Sequence, residues 1–247
     1  MGNTSDCLRR KMTMTDITGF DRSYYGNADA GIVLVQMVDD HDLALIDQEI
    51  SHIRELTGSD DFLLAAVRVK RWNTDLSPWT APPVFGEEAF GNGAGETLQY
   101  LTEQFLPSLG GSSSTGDRYF FLGGYSLAAL FALWAAYQTS LFTGIAAASP
   151  SVWFPGFCSY VQENRILTDA VYLSLGDREE RTKNPVMSQV GTAIRTIHAH
   201  LDAAGIPCTL EWNKGNHFKN PDLRTAKAFA WLMGRIRNAG RADDDKT

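Results

Sequence analysis

Short apolar runs alternate with longer stretches of helical periodicity along most of this 247-residue chain. The apolar runs are rich in β-branched and aromatic residues, which is typical of strands buried on both faces. We predict strands at residues 31–38, 62–69, 118–122, 142–148, 171–175 and 209–212, and an edge strand near residues 23–25. Strands separated by helices form parallel sheets, so this order predicts an α/β fold: a mostly parallel, doubly wound sheet with helices on both faces, a three-layer sandwich.

The segments between these strands predict five helices, at residues 41–56, 96–106, 127–138, 185–204 and 223–236. The fourth has the clearest period, because Met187, Val190, Ile194, Ile197 and Leu201 recur at steps of three and four residues. One substantial core is expected for a chain of this length with 44% hydrophobic residues. We therefore predict a single domain over residues 1–247, with residues 1–15 and 238–247 as flexible ends.

Composition excludes several classes of function. The net charge of -7 and the scattered acidic residues do not form a nucleic-acid surface. Three widely spaced cysteines imply neither a disulfide framework nor a zinc site, and a reduced compartment fits them best. The basic residues near the start have no apolar stretch behind them, and no run approaches the length of a membrane span. We expect a cytoplasmic protein with no membrane partner and no metal or cofactor; the sequence is silent on its oligomeric state.

The strongest local motif is at residues 118–128, where a buried strand runs into two glycines, a serine and an apolar helix. This order is typical of a nucleophile elbow, in which the serine occupies a strained turn above the sheet. Gly124 provides the small residue required two positions before Ser126, whereas Ala128 stands where a second glycine is usual. The alternative is that Ser126 only caps the helix.

A serine hydroxyl needs an imidazole as base and a carboxylate that orients the imidazole. In enzymes that have such an elbow, the chain order is serine, acid, histidine, and the histidine precedes the last helix. His217 is the histidine in that position. The strand at 171–175 ends in Gly176 and three carboxylates, of which we choose Glu179 as the acid, with Asp177 and Glu180 as alternatives.

These motifs resemble an esterase family of the α/β-hydrolase superfamily that is related to enterochelin and feruloyl esterases. The resemblance covers about residues 31–232 and depends on the segments 72–78, 91–96, 124–128, 148–153 and 215–217, together with the acid turn at Gly176. It implies an α/β-hydrolase fold and a serine esterase that acts on a small-molecule ester. Ala128, and Leu76 in place of the usual aromatic residue, depart from the family pattern.

The resemblance and the fold rule both imply an oxyanion hole made of two backbone N–H groups. We expect one donor at Leu127, directly after the nucleophile, and the other at Trp72, with Arg71 as the alternative. The long irregular segment at residues 70–95 that contains Trp72 is of the kind that is usually functional. Trp79, Trp153 and Phe218 border the predicted site in sequence and are candidates for an acyl or aryl pocket, although most aromatic residues belong to the core.

Three functions remain compatible with the sequence. Ester hydrolysis through an acyl-enzyme is the main hypothesis. Acyl transfer to an alcohol or amine would use the same groups, so the sequence does not separate it from hydrolysis. A non-catalytic protein with the hydrolase fold would explain the imperfect elbow at Ala128, but it would not require Ser126, His217 and a carboxylate turn together.

Overall fold

A computed structural model describes residues 12–15, 20–109 and 118–244, and an eight-stranded sheet runs through this part of the chain. The strands are β1 (Met12–Thr15), β2 (Asp21–Gly26), β3 (Ile32–Val38), β4 (Leu63–Arg68), β5 (Tyr119–Tyr125), β6 (Gly144–Ala148), β7 (Ala170–Gly176) and β8 (Cys208–Asn213). Their spatial order is β1-β2-β4-β3-β5-β6-β7-β8. The first two strands and β4 pair antiparallel, and the pairs from β4 through β3 to β8 are parallel.

The helices are α1 (Asp40–Thr57), α2 (Trp72–Asp75), α3 (Ala94–Tyr100), α4 (Leu106–Leu109), α5 (Leu127–Ala135), α6 (Phe157–Glu163), α7 (Val190–Ala203) and α8 (Pro221–Asp244). A π-helical segment, Leu101–Phe105, joins α3 to α4, so the helix predicted at 96–106 is one interrupted unit. A 3₁₀ turn, Met187–Gln189, precedes α7, which begins later than predicted.

Two apolar clusters cover the two faces of the sheet. One face packs against α3, α5, α6 and α7 through residues such as Leu98, Phe131 and Ile194. The other face packs against α1 and α8 through residues such as Ile46 and Phe229. The predicted three-layer architecture with a mostly parallel sheet is therefore confirmed.

Regular structure also reaches segments where we predicted none. Met12–Thr15 is an edge strand within the predicted flexible N-terminal end, and α8 extends to Asp244 within the predicted C-terminal end. The rest of those ends, residues 1–11 and 245–247, lies outside the described residues. Helix α6 was missed because its seven residues bury only Phe157 and Val161, too few to reveal a helical period.

The parallel strands bring three sequence segments to one edge of the sheet. Tyr125 at the end of β5 is in register with Ala148 of β6, which is in register with Ser174 of β7. Gly176, at the end of β7, pairs with Asn213 at the end of β8. The segments that begin at residues 126, 177 and 214 therefore leave the sheet at its carboxyl edge, where parallel α/β folds bind ligands.

Candidate active site

Ser126 occupies a strained turn between β5 and α5. Its φ of 59° and ψ of -117° lie where residues other than glycine are rare. The turn is tight enough that a Cβ at Gly124 would lie 2.6 Å from the Cβ of Ala128 and 3.2 Å from the carbonyl oxygen of Met37. The methyl of Ala128 thus fits because position 124 has no side chain. This accounts for the alanine found where a second glycine was expected.

The hydroxyl of Ser126 lies within hydrogen-bond distance of two side chains. Its Oγ is 3.0 Å from His217 Nε2 and 3.2 Å from Ser151 Oγ. His217 follows β8 in the loop that leads to α8, and its side chain is 28% exposed. The serine and the histidine are 91 positions apart in sequence, and the fold brings their side chains into direct contact.

Glu179 is the carboxylate that meets His217. Its Oε2 is 2.7 Å from His217 Nδ1, on the side of the ring away from Ser126. The alternative acids have other partners. Asp177 Oδ1 accepts a hydrogen bond of 2.8 Å from the backbone N–H of Gly215, and Glu180 pairs with Arg195 at 3.1 Å. Asp177 therefore joins the acid turn to the histidine loop, and Glu180 joins it to α7.

The environment of Glu179 favours its charged form. Burial opposes ionisation, because its side chain is only 5% exposed. The hydrogen bond and electrostatic interaction with His217, with hydrogen bonds from the N–H of Gly176 and the hydroxyl of Ser149, outweigh burial and lower the pKa of the carboxyl. Glu179 can therefore stay ionised while it holds the imidazole.

Sequence reasoning missed four residues that surround this trio: Tyr125, Ser149, Ser151 and Arg224. Ser149 and Ser151 belong to the segment 148–153, which the family resemblance included without a role for either serine. Tyr125 donates from its hydroxyl to the carbonyl oxygen of His217 at 2.7 Å. Burial and the charge of Glu179 raise the pKa of Tyr125 to about 12, so the phenol keeps its proton for this bond. The sequence did offer a clue to Arg224, because a charged residue stands at the start of the apolar face of the last helix.

The two predicted oxyanion donors begin helices at the same edge of the sheet. Leu127 is the first residue of α5 and Trp72 is the first residue of α2, and N–H groups at such positions have no acceptor within the helix. The N–H of Arg71 instead donates to Asp75 Oδ2 at 3.2 Å, which favours Trp72 over Arg71. The oxyanion hole itself stays a prediction.

The glycine-rich turn at 91–95 supports the segment that carries Trp72. The N–H groups of Gly91 and Gly93 donate to the carbonyl oxygens of Asn73 and Thr74 in α2. A Cβ at Gly91 would lie 2.7 Å from Thr74 Cγ2, so a larger residue would push the short helix away. These glycines act through close packing on the segment beside the site.

The three predicted pocket aromatics have different surroundings. Trp79 packs against Phe154 and Phe157, and its indole N–H donates to the carbonyl of Pro155 at 2.9 Å, which is a structural role. Trp153 is half-buried and lies two residues after Ser151. Phe218 is 86% exposed, with its ring edge-on to His217. The structure thus brings Phe218 to the predicted site and accounts for Trp79 by packing.

Solved structures with this fold include several hydrolases. The chain is similar to the siderophore hydrolases EstA and EstB from Aspergillus nidulans, each with a TM-score of 0.69. EstA is 17% identical over 92% of this chain and 94% of its own, and EstB is 16% identical over 94% and 97%. An IroE-like serine hydrolase from Shewanella oneidensis has a TM-score of 0.72 and 12% identity over 91% of this chain and 79% of its own.

No protein-family model and no curated protein sequence matches the chain. The structural similarity therefore shows the fold, which is the predicted α/β-hydrolase fold. Within the described residues, no group of histidine, cysteine and acidic side chains could hold a metal ion. None of the helices in that same part of the chain is both long and apolar enough to cross a membrane.

Proposed function

We propose that this chain is a serine hydrolase that cleaves carboxylic esters, with Ser126 as nucleophile, His217 as base and Glu179 as acid. The observation that carries the proposal is the continuous hydrogen-bonded path from Ser126 Oγ to His217 Nε2 at 3.0 Å and from His217 Nδ1 to Glu179 Oε2 at 2.7 Å. The strained backbone at Ser126 supports it, because strain of this kind clusters at functional sites.

In the proposed reaction, Ser126 Oγ attacks the carbonyl carbon of the ester while His217 Nε2 takes the hydroxyl proton. Glu179 accepts the hydrogen bond from Nδ1–H and stabilises the positive charge that forms on the ring. The N–H groups of Leu127 and Trp72 stabilise the oxyanion. His217 then gives its proton to the leaving alcohol, and a water molecule, activated by the same histidine, releases the acid from Ser126.

The substrate we propose is a small ester with an apolar or aromatic portion. The exposed ring of Phe218 supports this by its position, since it lies edge-on to His217, where it could contact a bound apolar group. Two of the structures similar to this chain are named siderophore hydrolases. Siderophore esters are therefore the first natural compounds to assay, beside simple aryl esters. The cytoplasmic location expected from the sequence stays a prediction.

Replacement of the nucleophile tests the proposal. We expect Ser126→Ala to lower kcat on a short p-nitrophenyl ester by about 10⁴-fold or more, because the acyl-enzyme can no longer form. Ser51→Ala is the matched control, since Ser51 is exposed on α1 and its hydroxyl donates to the local carbonyl of Asp47. Turnover by Ser126→Ala at the rate of the control would remove Ser126 from the mechanism. Ester formation with added alcohols in place of acid release would redefine the activity as acyl transfer.

A further inference from the structure

Arg224 connects the three segments of the proposed active site. Its Nη1 donates to Glu179 Oε1 at 2.7 Å, to Ser149 Oγ at 2.9 Å and to Tyr125 Oη at 3.0 Å. Its Nη2 donates to the carbonyl oxygen of Asn216 at 2.9 Å. One guanidinium therefore contacts the acid itself and the residues that directly precede Ser126 and His217.

These contacts leave one oxygen of the acid for the histidine. Arg224 and Ser149 both bond Oε1 of Glu179, while Oε2 faces His217 Nδ1. The carboxylate is therefore held at both oxygens and cannot turn about its own axis without breaking a charge-assisted hydrogen bond. Tyr125 extends the same network to the backbone of the histidine, because its hydroxyl donates to the carbonyl of His217.

Stability alone does not explain an arginine at this position. The side chain is 2% exposed, and it lies on the face of α8 that also carries the buried residues Ala228 and Leu232. Removing a guanidinium from water is costly, and an apolar side chain of similar size is often as stable in such a place. The buried Arg224–Glu179 pair lies at the same edge of the sheet as Ser126. It is therefore better explained by a need to hold the active-site residues in a fixed geometry.

We propose that Arg224 is a positioning residue that fixes the orientation of Glu179 and ties the histidine loop to the end of β5, so that His217 stays aligned with Ser126. The inference rests on the proposed hydrolase function. Arg224 does not touch the reacting atoms and acts through Glu179, Tyr125 and Asn216. Its loss should therefore slow the chemical step while substrate binding changes little.

Steady-state kinetics of Arg224→Met across the pH range test this role. We expect kcat on the p-nitrophenyl ester to fall by about 10- to 100-fold, as misplacement of a catalytic group does, while KM stays within about threefold. We also expect the acid limb of the kcat/KM profile to move to higher pH by about half a unit or more, because a cation no longer disfavours protonation of the Glu179–His217 pair.

Arg178→Met is the matched control. Arg178 directly precedes Glu179 in sequence, but it is exposed, and its charge is screened by water. We expect its removal to leave kcat, KM and the acid limb close to those of the parent chain. Arg224→Lys keeps the charge but cannot span Glu179, Tyr125 and Asn216, so a lower kcat with an unshifted acid limb is expected.

A double-mutant cycle separates positioning from general support of the fold. Because part of the role of Arg224 runs through Glu179, Arg224→Met should lower kcat by a smaller factor when Glu179→Gln is already present than it does in the parent chain. Parental kcat and an unshifted limb in folded Arg224→Met would overturn the inference, as would equal losses in both backgrounds. Should Arg224→Met fail to fold, parental kcat in Arg224→Lys would overturn the inference instead.

The parent chain tells failure of this inference apart from failure of the proposed function. A parent chain that shows no ester turnover and no fluorophosphonate labelling would contradict the proposed function. If the parent chain is active and labelled, an unexpected result in the Arg224 variants counts only against the role of Arg224.

Discussion

Two buried carboxyl groups, those of Glu179 and Glu49, have pKa values shifted in opposite directions. Glu179 lies at the carboxyl edge of the sheet and accepts hydrogen bonds from Arg224, Ser149 and the N–H of Gly176. Glu49 is 3% exposed, lies on the buried face of α1 and accepts a bond of 3.1 Å from Gln36 Nε2. The pKa of Glu179 is lowered despite its burial, whereas burial raises the pKa of Glu49 well above its usual value.

The difference lies in the partners that the two groups have. The charges that act on Glu49 are those of Asp42 and Asp222, which add to the effect of burial. Among the described residues, Oε1 of Glu49 and Oε1 of Gln36 have no hydrogen-bond partner. Donors and a positive charge, more than depth of burial, therefore decide whether a carboxylate can work as an anion in this protein.

The two groups make opposite contributions to stability as the pH changes. Because the pKa of Glu179 is lower in the folded chain, its contribution is present above the unfolded value and is lost as the pH falls. Because the pKa of Glu49 is raised, its contribution is present below the unfolded value of about 4.3 and is lost as the pH rises.

The largest effect is expected from Glu179→Gln. Loss of the charge that orients and stabilises the imidazole should lower kcat by about 10³- to 10⁴-fold. It should also lower the free energy of unfolding by about 3–5 kcal/mol at pH 7, because Arg224 remains buried without its counter-ion. Ester turnover and urea unfolding measure the two effects. A kcat within tenfold of the parent would contradict the role given to Glu179.

Glu49→Gln should act in the opposite direction. A neutral amide removes the cost of the buried carboxylate and supplies a donor that can face Gln36 Oε1, so we expect stabilisation of about 1–3 kcal/mol at pH 7. The gain should shrink below about pH 4, where the carboxyl is protonated in the unfolded chain as well. Urea unfolding at both pH values measures it, and kcat should not change. Destabilisation at pH 7 would mean that the carboxylate of Glu49 has a partner that this account omits.

Asp42→Asn should give the smallest effect of the three. Burial and the nearby charge of Asp39 raise the pKa of Asp42 to about 7, so the contribution of this carboxyl to stability should be present below about pH 4 and lost as the pH rises from there to about 7. Asparagine still offers an oxygen to the N–H of Asp39 in the capping box of α1. Because the side chain is partly exposed, we expect a gain of about 0.5–1 kcal/mol at pH 8, measured by urea unfolding. A gain that is equally large at pH 4 would contradict the charge-based explanation.

The sequence predicted the sheet, and the placement of Ser126 and His217 after strands, because both depend on local patterns. Buried strands can be recognised by their apolar and β-branched residues. The elbow at Ser126 and the loop at His217 each follow such a strand. The acid could not be assigned uniquely, since Asp177, Glu179 and Glu180 share one turn and differ only in where they point. That difference depends on Gly215 and Arg195, which come from other segments.

Arg224 and Gln36 are the partners of the two buried glutamates. They could not be predicted because their contacts join distant segments of the sequence. Arg224 meets Glu179 across 45 positions of sequence, and no periodicity encodes that contact. Glu49 sits between Ile46 and Ile50 on the buried face of α1, where a local pattern does not reveal that its side chain faces Gln36. Long-range pairing thus determines which carboxylate is an anion and which is not.

The central claim is that Ser126 is a nucleophile activated by His217 and Glu179. Peptide mapping by mass spectrometry after reaction with a fluorophosphonate tests it most directly. We expect one adduct per chain, on the peptide that contains Ser126, formed much more slowly by His217→Ala and Glu179→Gln. No adduct on Ser126, or an adduct that forms at the same rate in His217→Ala, would contradict it.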